Sequence, residues 1–306
     1  DQIFESEHFR FHYTNEGTDA VSDPNYVFQM AEVFEEVYSF YMDTLNFSAP
    51  LSDPATDNIL YNVFIENLPT YYFGITYTKN TSVSSPACVS YIKMRNNYNG
   101  SQFSEHTELE NVQVTAVHEF FHAIQFSYNC YERFWFMEAT AVWSEDELYN
   151  NVNDHYRYIS PWFSNINKSL DDESSHMYGS FIFFQYIDEH LGGTNSIKLC
   201  WEKSHEMASP IQDNSIKSIN LALNDLGSSF EETYMRMRIA NKIMNTNAGL
   251  YSYEEADGYL SAGGRPLEKD IFYQKGVPQE DSYFSLDLFE TIYYKIHTSD
   301  PVEVEI

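Results

Sequence analysis

The sequence predicts an α+β fold, in which a mixed β-sheet forms early in the chain and a mainly helical region follows it. Two observations support this. Short runs rich in β-branched and aromatic residues fill the first hundred positions, separated by clusters of Pro, Gly, Asn and Ser. From residue 107 onward, apolar residues instead repeat at helical spacing. The 306 residues, 43% of them hydrophobic, are enough to bury a large core and close a cleft.

The elements before residue 107 are mostly strands. HFRFHYT (8–14) alternates aromatic with polar residues, which is the period of a half-buried strand. An amphipathic helix follows, with Asp23 as its N-cap and Pro24 at its first position. Three further β-type runs are ILYNVFIEN (59–67), YYFGITYTK (71–79) and ACVSYIKMR (87–95).

The elements after residue 107 are mostly helices. Thr107 and Glu110 have the spacing of a capping box, and the helix after them has apolar residues on most sides, which predicts a buried helix. Further helices are predicted at 135–149, 177–191, 195–206 and 228–244, the last capped by Ser229. We therefore expect three segments: a β-rich segment with the buried helix (1–128), a helical segment (129–250), and a β-type extension (251–306) that is cut short at Ile306.

Charge, hydropathy and cysteine content limit the function. The net charge of −29 opposes binding to nucleic acid or anionic lipid. No apolar run reaches the roughly 18 residues of a membrane span. The three cysteines, Cys88, Cys130 and Cys200, cannot all pair within one chain and none lies in a CxxC motif, so the disulfide state stays open.

One motif carries the chemistry: VTAVHEFFHAIQ (114–125). His118 and His122 are four residues apart on a predicted helix, so their imidazoles share one face and can bind a single cation. Glu119 is rotated about 100° from His118, which suits a general base better than a ligand. Singly, either histidine would be read as a structural helix residue. Together with the glutamate they predict a catalytic zinc site.

A third ligand is required for such a site, and Glu138 is our candidate. It stands in the apolar stretch WFMEATAVW, where an unpaired buried carboxylate would be costly. The alternative role is a carboxylate near a helix N-terminus. Of the nearby acids, Glu145 is the next choice, although Glu132, Glu145, Asp146 and Glu147 are expected on a solvated face.

HEFFHAIQ followed by WFMEATAVW resembles the gluzincin group of zinc metallopeptidases, and most closely the secreted metalloproteases of bacteria and archaea. The resemblance covers about residues 110–200. It implies a zincin-like fold, Zn²⁺ bound by His118, His122 and Glu138, Glu119 as the base, and an extracellular or periplasmic location. Fifteen residues separate His122 from Glu138, fewer than in the best-known members, so the connection must be tight.

The resemblance also implies an edge strand beside the cleft and a donor to the carbonyl under attack. We expect 87–95 to be that edge strand, because it directly precedes the metal helix. His176 and Tyr178 are the candidate donors, since HMYGSFIFFQYIDEHLGG (176–193) resembles the aminopeptidase stretch that carries a donor tyrosine. Their alternative role is in a loop or helix cap.

The sequence thus predicts a zinc peptidase that acts on a peptide or protein substrate, and it leaves the oligomeric state open. One alternative is a di-iron carboxylate protein, because ExxH pairs occur repeatedly; they are Glu5/His8, Glu119/His122, Glu173/His176 and Glu202/His205. Another is a non-catalytic binding or adhesion module that keeps the zincin fold.

Overall fold

The computed structural model describes residues 2–51, 53, 59–79, 85–274, 286 and 288–298. Its strands are β1 (Gln2–Glu5), β2 (Phe9–Tyr13), β3 (Tyr61–Glu66), β4 (Gly74–Lys79), β5 (Val89–Arg95), β6 (Glu268–Phe272) and β7 (Tyr293–His297). Its α-helices are α1 (Pro24–Ser39), α2 (Glu108–Tyr128), α3 (Phe134–Tyr149), α4 (Ile159–Ser164), α5 (His176–Gly179), α6 (Phe181–Leu191), α7 (Thr194–Glu206), α8 (Ser215–Asp225), α9 (Phe230–Ile243) and α10 (Ala256–Ser261). The fold is α+β, as predicted.

The first five strands form one mixed sheet in the order β1-β2-β3-β5-β4. The pairs β2–β3 and β3–β5 are parallel, whereas β1–β2 and β4–β5 are antiparallel. The prediction that 87–95 forms the edge beside the cleft is wrong. Strand β5 lies between β3 and β4, and β4 is the edge strand, because the chain turns back and adds β5 in the parallel direction beside β3.

Helices α1 and α2 pack on this sheet. Asp23 caps α1 through the backbone N–H of Asn25, with Pro24 in the first turn, as predicted. Helix α2 begins with the predicted capping box, in which Thr107 and Glu110 each satisfy a backbone N–H of the other. Tyr41 lies just beyond the end of α1. Its hydroxyl donates to the carbonyl oxygen of Val117 at 3.0 Å and so ties the end of α1 to the middle of α2.

Helix α3 is buried on nearly all sides and packs against α2, α5 and α6. Large aromatic side chains fill the space between these helices, and the four tryptophans are fully buried: Trp135, Trp143, Trp162 and Trp201. One hydrophobic core extends from the sheet into the helical region, from Phe9 to Tyr259. Because α2 and α3 share this core, the residues that they carry are held rigidly relative to each other.

The final segment is only partly described. Strands β6 and β7 form a two-stranded parallel sheet, in which Glu268 is opposite Tyr293. Residues 275–285 and 299–306 lie outside the described part of the chain. Within that part, no helix has the length and hydropathy to cross a membrane.

A disulfide joins Cys88, next to β5, to Cys130, in the connection between α2 and α3, whereas Cys200 is free and buried. The disulfide state that the sequence left open is therefore one pair and one thiol. The bridge holds the α2–α3 connection to the sheet.

Candidate metal centre

Helix α2 places the two histidines of the motif one turn apart, as their spacing predicts. Their Nε2 atoms are 3.1 Å apart, and the rings lie nearly perpendicular to each other. Both side chains are mostly buried, with 14% of His118 and 10% of His122 exposed. Two ring nitrogens therefore point at one location.

Glu138, in the second turn of α3, points at the same location. Its Oε2 atom is 3.2 Å from Nε2 of His118 and 3.6 Å from Nε2 of His122. Four ligands at about 2.0–2.1 Å around a tetrahedral ion are about 3.3 Å apart. The three observed separations match that value, so these atoms can ligate one ion without rearrangement.

The other ring nitrogen of His122 fixes its tautomer. Nδ1 lies 2.7 Å from Oε1 of Gln125. The Gln125 amide nitrogen donates to the Met137 carbonyl oxygen and to Thr140 Oγ1, so its oxygen must face the ring. An amide oxygen only accepts, so Nδ1 carries the hydrogen and Nε2 of neutral His122 presents a lone pair.

Glu145 has the same effect on His118. Its Oε1 atom lies 2.7 Å from Nδ1 of His118, so this nitrogen donates and Nε2 presents a lone pair. When both rings are neutral, two ring lone pairs and the Glu138 carboxylate converge with no hydrogen between them. Three acceptors at this spacing repel one another unless a cation lies among them.

The electrostatics of the cluster agree with this. Although burial opposes the charge, the carboxylates of Glu138 and Glu145 hold the pKa of His118 well above its usual value. Burial raises the pKa of Glu138, but His122 and His118 outweigh it and hold the pKa well below its usual range. Both shifts show that the centre of the cluster favours positive charge.

Glu145 therefore contacts Nδ1 of His118 and is not one of the three side chains that converge. The prediction that Glu145 and Asp146 lie on a solvated face is also wrong, because only 4% and 5% of these residues are exposed. The reason is that the C-terminal half of α3 is enclosed by α2 and by the turn at Asp154–Tyr158. The polar residues in this part of α3 belong to a buried network.

Glu119 lies beside the cluster and is held by strand β4. Thr76 Oγ1 lies 2.7 Å from Oε2 of Glu119 and donates a hydrogen bond to it. Gly74 passes so close to α2 that a Cβ there would lie 2.7 Å from Thr115 Cγ2 and 2.8 Å from Glu119 Cγ. The edge strand thus sets the position of the Glu119 carboxylate.

Two cavities adjoin the cluster and share its residues. The first measures about 260 Å³ and is lined by Tyr71, Tyr72, Phe73, Gly74, Val114, Thr115, His118, Glu119, Glu145, Asp154, Arg157, Tyr158 and Tyr178. The second measures about 240 Å³ and is lined by Tyr72, Gly74, Ile75, Thr76, His118, Glu119, His122, Phe126, Phe134, Met137, Glu138 and Tyr178. A bound molecule can therefore extend to both sides of His118 and Glu119.

His176 and Tyr178 are the two residues predicted to donate a hydrogen bond to the substrate carbonyl. In the structure, only Tyr178 lies at the cavities. Tyr178 lines both and stacks on Tyr158 with ring centroids 5.2 Å apart. Burial and the nearby carboxylates of Glu138 and Glu119 raise the pKa of Tyr178, so its hydroxyl keeps its proton and can donate.

His176 is turned away and lines neither cavity. Its ring stacks on the Trp162 indole at 4.2 Å, and burial, followed by Arg238, lowers the pKa of His176 to about 4. The sequence spacing placed both residues near the site, but packing against buried Trp162 directs His176 into the core.

Sequence reasoning missed Gly74, Thr76, Gln125 and Tyr72 as parts of the site. Gln125 follows His122 by three residues on the same helix, so helical spacing could have identified it. Gly74 interrupts a β-type run, which is a sign of close backbone approach. Thr76 and Tyr72 gave no local signal.

The other ExxH pairs do not join the cluster. Arg133 holds Glu173 in a bidentate ion pair, and His205 Nδ1 lies 2.7 Å from the Tyr128 carbonyl oxygen. The described residues contain two groups that could hold a metal, and only His118, His122 and Glu138 include an ExxH residue. A di-iron centre needs more carboxylates than this cluster has.

Sequence comparisons place these residues in a family. No curated protein matches the chain. A family model, described as a family of unknown function (DUF6055), matches residues 1–226, which include the five-stranded sheet, the three convergent side chains and Glu119. The match covers well over half of the chain. The chain belongs to the family of unknown function DUF6055.

Proposed function

We propose that this protein is a zinc-dependent peptidase of the zincin-like, gluzincin type. One observation carries the proposal: Nε2 of His118, Nε2 of His122 and Oε2 of Glu138 converge, with separations of 3.1 to 3.6 Å. Two imidazoles and one carboxylate, with a position left open, are the donor set of a catalytic zinc site. The donors fit the ion without rearrangement.

The roles of the surrounding residues follow from their positions. A zinc ion held there supplies Lewis acidity and makes water more acidic. The Glu119 carboxylate, which lines both cavities, takes a proton from the attacking water and passes it to the leaving amine. The Tyr178 hydroxyl donates to the carbonyl oxygen as charge develops on it.

Strand β4 supports a peptide as the substrate. It is the edge of the sheet, and Gly74, Ile75 and Thr76 line the second cavity. An extended peptide can add to such an edge through backbone hydrogen bonds. The scissile bond would then lie between the two cavities, beside Glu119.

The disulfide supports an extracellular or periplasmic location, because such bonds persist in oxidising compartments. This agrees with the resemblance to secreted metalloproteases.

The test compares the parent protein with Glu119→Gln. We expect the variant to retain as much zinc as the parent and to cleave casein or a peptide library about 10²–10⁴-fold more slowly, because a general base contributes about this factor. Metal content is measured by mass spectrometry and cleavage by release of new amino termini.

The matched control is Glu108→Gln, an exposed glutamate in the first turn of the same helix, which should cleave at the parent rate. Equal cleavage by Glu119→Gln would remove Glu119 from the mechanism. Zinc binding without any cleavage by the parent would instead favour a non-catalytic binding module.

A further inference from the structure

A second group of potential ligands lies further along α3, where Asp146 follows Glu138 by eight residues. One ligand atom from each of Asp146, His155 and Glu255 lies within 4.8 Å of the other two. Asp146 is on α3 and His155 is in the 3₁₀ turn Asp154–Tyr158. Only 1% of the His155 side chain and 5% of the Asp146 side chain is exposed. The group is therefore buried and joins three separate segments.

One ring nitrogen of His155 has a hydrogen-bond partner, whereas the other has none within hydrogen-bond range in the described residues. Nε2 lies 3.0 Å from Oε2 of Glu255, whose Oε1 accepts a hydrogen bond from the Tyr156 hydroxyl. Nδ1 and the Asp146 Oδ1 atom have no hydrogen-bond partner in the described residues. Since Nε2 donates to Glu255, Nδ1 of the neutral ring presents a lone pair towards Asp146.

The distance between Nδ1 of His155 and Oδ1 of Asp146 suits two ligands of a shared metal ion better than a direct hydrogen bond. Nδ1 of His155 and Oδ1 of Asp146 are 3.7 Å apart, which exceeds hydrogen-bond range. Two ligands at about 2.1 Å from one ion lie about 3.0 to 4.2 Å apart, depending on the angle between them. The observed separation falls inside that interval.

The surroundings are rich in carboxyl groups. Four more carboxyl groups lie nearby: Glu147, Asp188, Glu189 and Glu254. In the described residues, none of these four forms an ion pair with Lys or Arg, and neither does Asp146 or Glu255. His155 is thus the one basic group paired with these acids. A divalent cation would offset the repulsion among the ionised carboxylates of this region.

The His155 ring is fixed in place. The rings of Tyr156, Phe181 and Tyr259 meet it edge-on, with centroids 4.7, 5.2 and 5.9 Å away. These contacts restrict rotation of the imidazole, and in the structure its Nδ1 faces Asp146. Glu255 holds His155 as Glu145 holds His118, with a carboxylate on the ring nitrogen that does not face the ligand group.

We propose that Asp146 Oδ1 and His155 Nδ1 bind a second divalent cation, with Glu255 orienting the imidazole. The imidazole donor favours Zn²⁺ over Ca²⁺, which takes six to eight oxygen ligands. The ion would join α3, the Asp154–Tyr158 turn and the segment at Glu255. This site is separate from His118 and His122 and does not depend on peptidase activity.

The experiment counts bound ions. Chelator-stripped protein is dialysed against buffered Zn²⁺, and zinc per chain is measured by mass spectrometry. We expect two ions in the parent, one in the double variant Asp146→Asn/His155→Gln, and one in His118→Gln/His122→Gln. Asp257→Asn, an exposed acid on α10, is the matched control and should keep two.

A milder variant guards against misfolding. Glu255→Gln leaves both ligands in place, and we expect about 10–100-fold weaker binding of the second ion with unchanged circular dichroism. The proposal is overturned if the parent binds a single ion that only the His118/His122 variant removes. It is also overturned if Asp146→Asn/His155→Gln still binds two. Casein cleavage, measured in parallel, reports separately on the proposed peptidase.

Discussion

Glu145 shows how one side chain can orient a residue of the proposed metal site from outside the cluster. It holds Nδ1 of His118 at 2.7 Å, and its own side chain is almost fully buried. This contact sets both the tautomer and the orientation of the ring. A carboxylate seven residues beyond Glu138 therefore belongs to the same site.

We expect Glu145→Gln to lower zinc affinity at the first site about 10–100-fold, because a neutral amide oxygen holds the Nδ1 hydrogen less strongly than a carboxylate does. Competition with a chromogenic chelator measures the affinity. Glu202→Gln, on α7 and partly exposed, is the control. Unchanged affinity in Glu145→Gln would contradict the assigned role.

The site residues differ in how far the sequence could identify them. His118, Glu119 and His122 follow from helical spacing alone, since all three lie on α2. Glu138 followed from the cost of an isolated carboxylate in an apolar stretch. Choosing between His176 and Tyr178 required the tertiary structure, because the packing of Trp162 decides which side chain faces the cavities.

At the scale of elements, the crossing of β4 over α2 matters most. Gly74 permits this approach, and the adjacent Thr76 then reaches Glu119. The β-type run was predictable from its sequence, but its place at the sheet edge was not. Strand order depends on pairing between distant segments, and a strand carries no local mark of its neighbour.

We expect Gly74→Ala to slow cleavage about 10²-fold while zinc stays bound, because the added methyl group must displace Thr115 or Glu119 and a small misplacement of a catalytic group is costly. The added crowding should also lower the free energy of unfolding by about 1–3 kcal/mol. Peptide cleavage, metal content and urea denaturation measure the three effects.

The control for this substitution is Thr78→Ala, an exposed position on the same strand. It should change cleavage little. If Gly74→Ala cleaved at the parent rate, the contact between β4 and Glu119 would not be important for the reaction.

At the scale of the whole molecule, some of the acidic groups that give the net charge of −29 are buried. Burial, with the carboxylates of Glu254 and Asp188, raises the pKa of Glu189 to about 7 from 4.5. Burial likewise raises the pKa of Asp146 to about 6. These acids are more easily protonated in the folded protein than in the unfolded chain.

The sign of the pH dependence follows. The folded state binds the Glu189 proton more tightly, so its stabilising contribution is complete below about pH 4.5 and is lost as the pH rises through about 7. The contribution is at most about 3 kcal/mol. In chelator-treated protein, we expect the melting temperature to fall as the pH is raised from about 4.5 to about 7.

Glu189→Gln cannot ionise, so its melting temperature should change less with pH over the same range. Glu231→Gln, exposed on α9, serves as the control and should keep the parent slope. Calorimetry at several pH values measures the slopes, and parallel curves for parent and Glu189→Gln would show that Glu189 is not the titrating group.

The sequence by itself determined the α+β class, the capped helix α2 and the shared face of His118 and His122. These features depend on contacts within a few residues, which the helical period of 3.6 dictates. The tertiary structure alone decided that β4 is the edge strand, that Glu145 orients His118, and that Tyr178 rather than His176 reaches the cavities. Those outcomes depend on how distant segments pack, and local spacing does not encode the packing of distant segments.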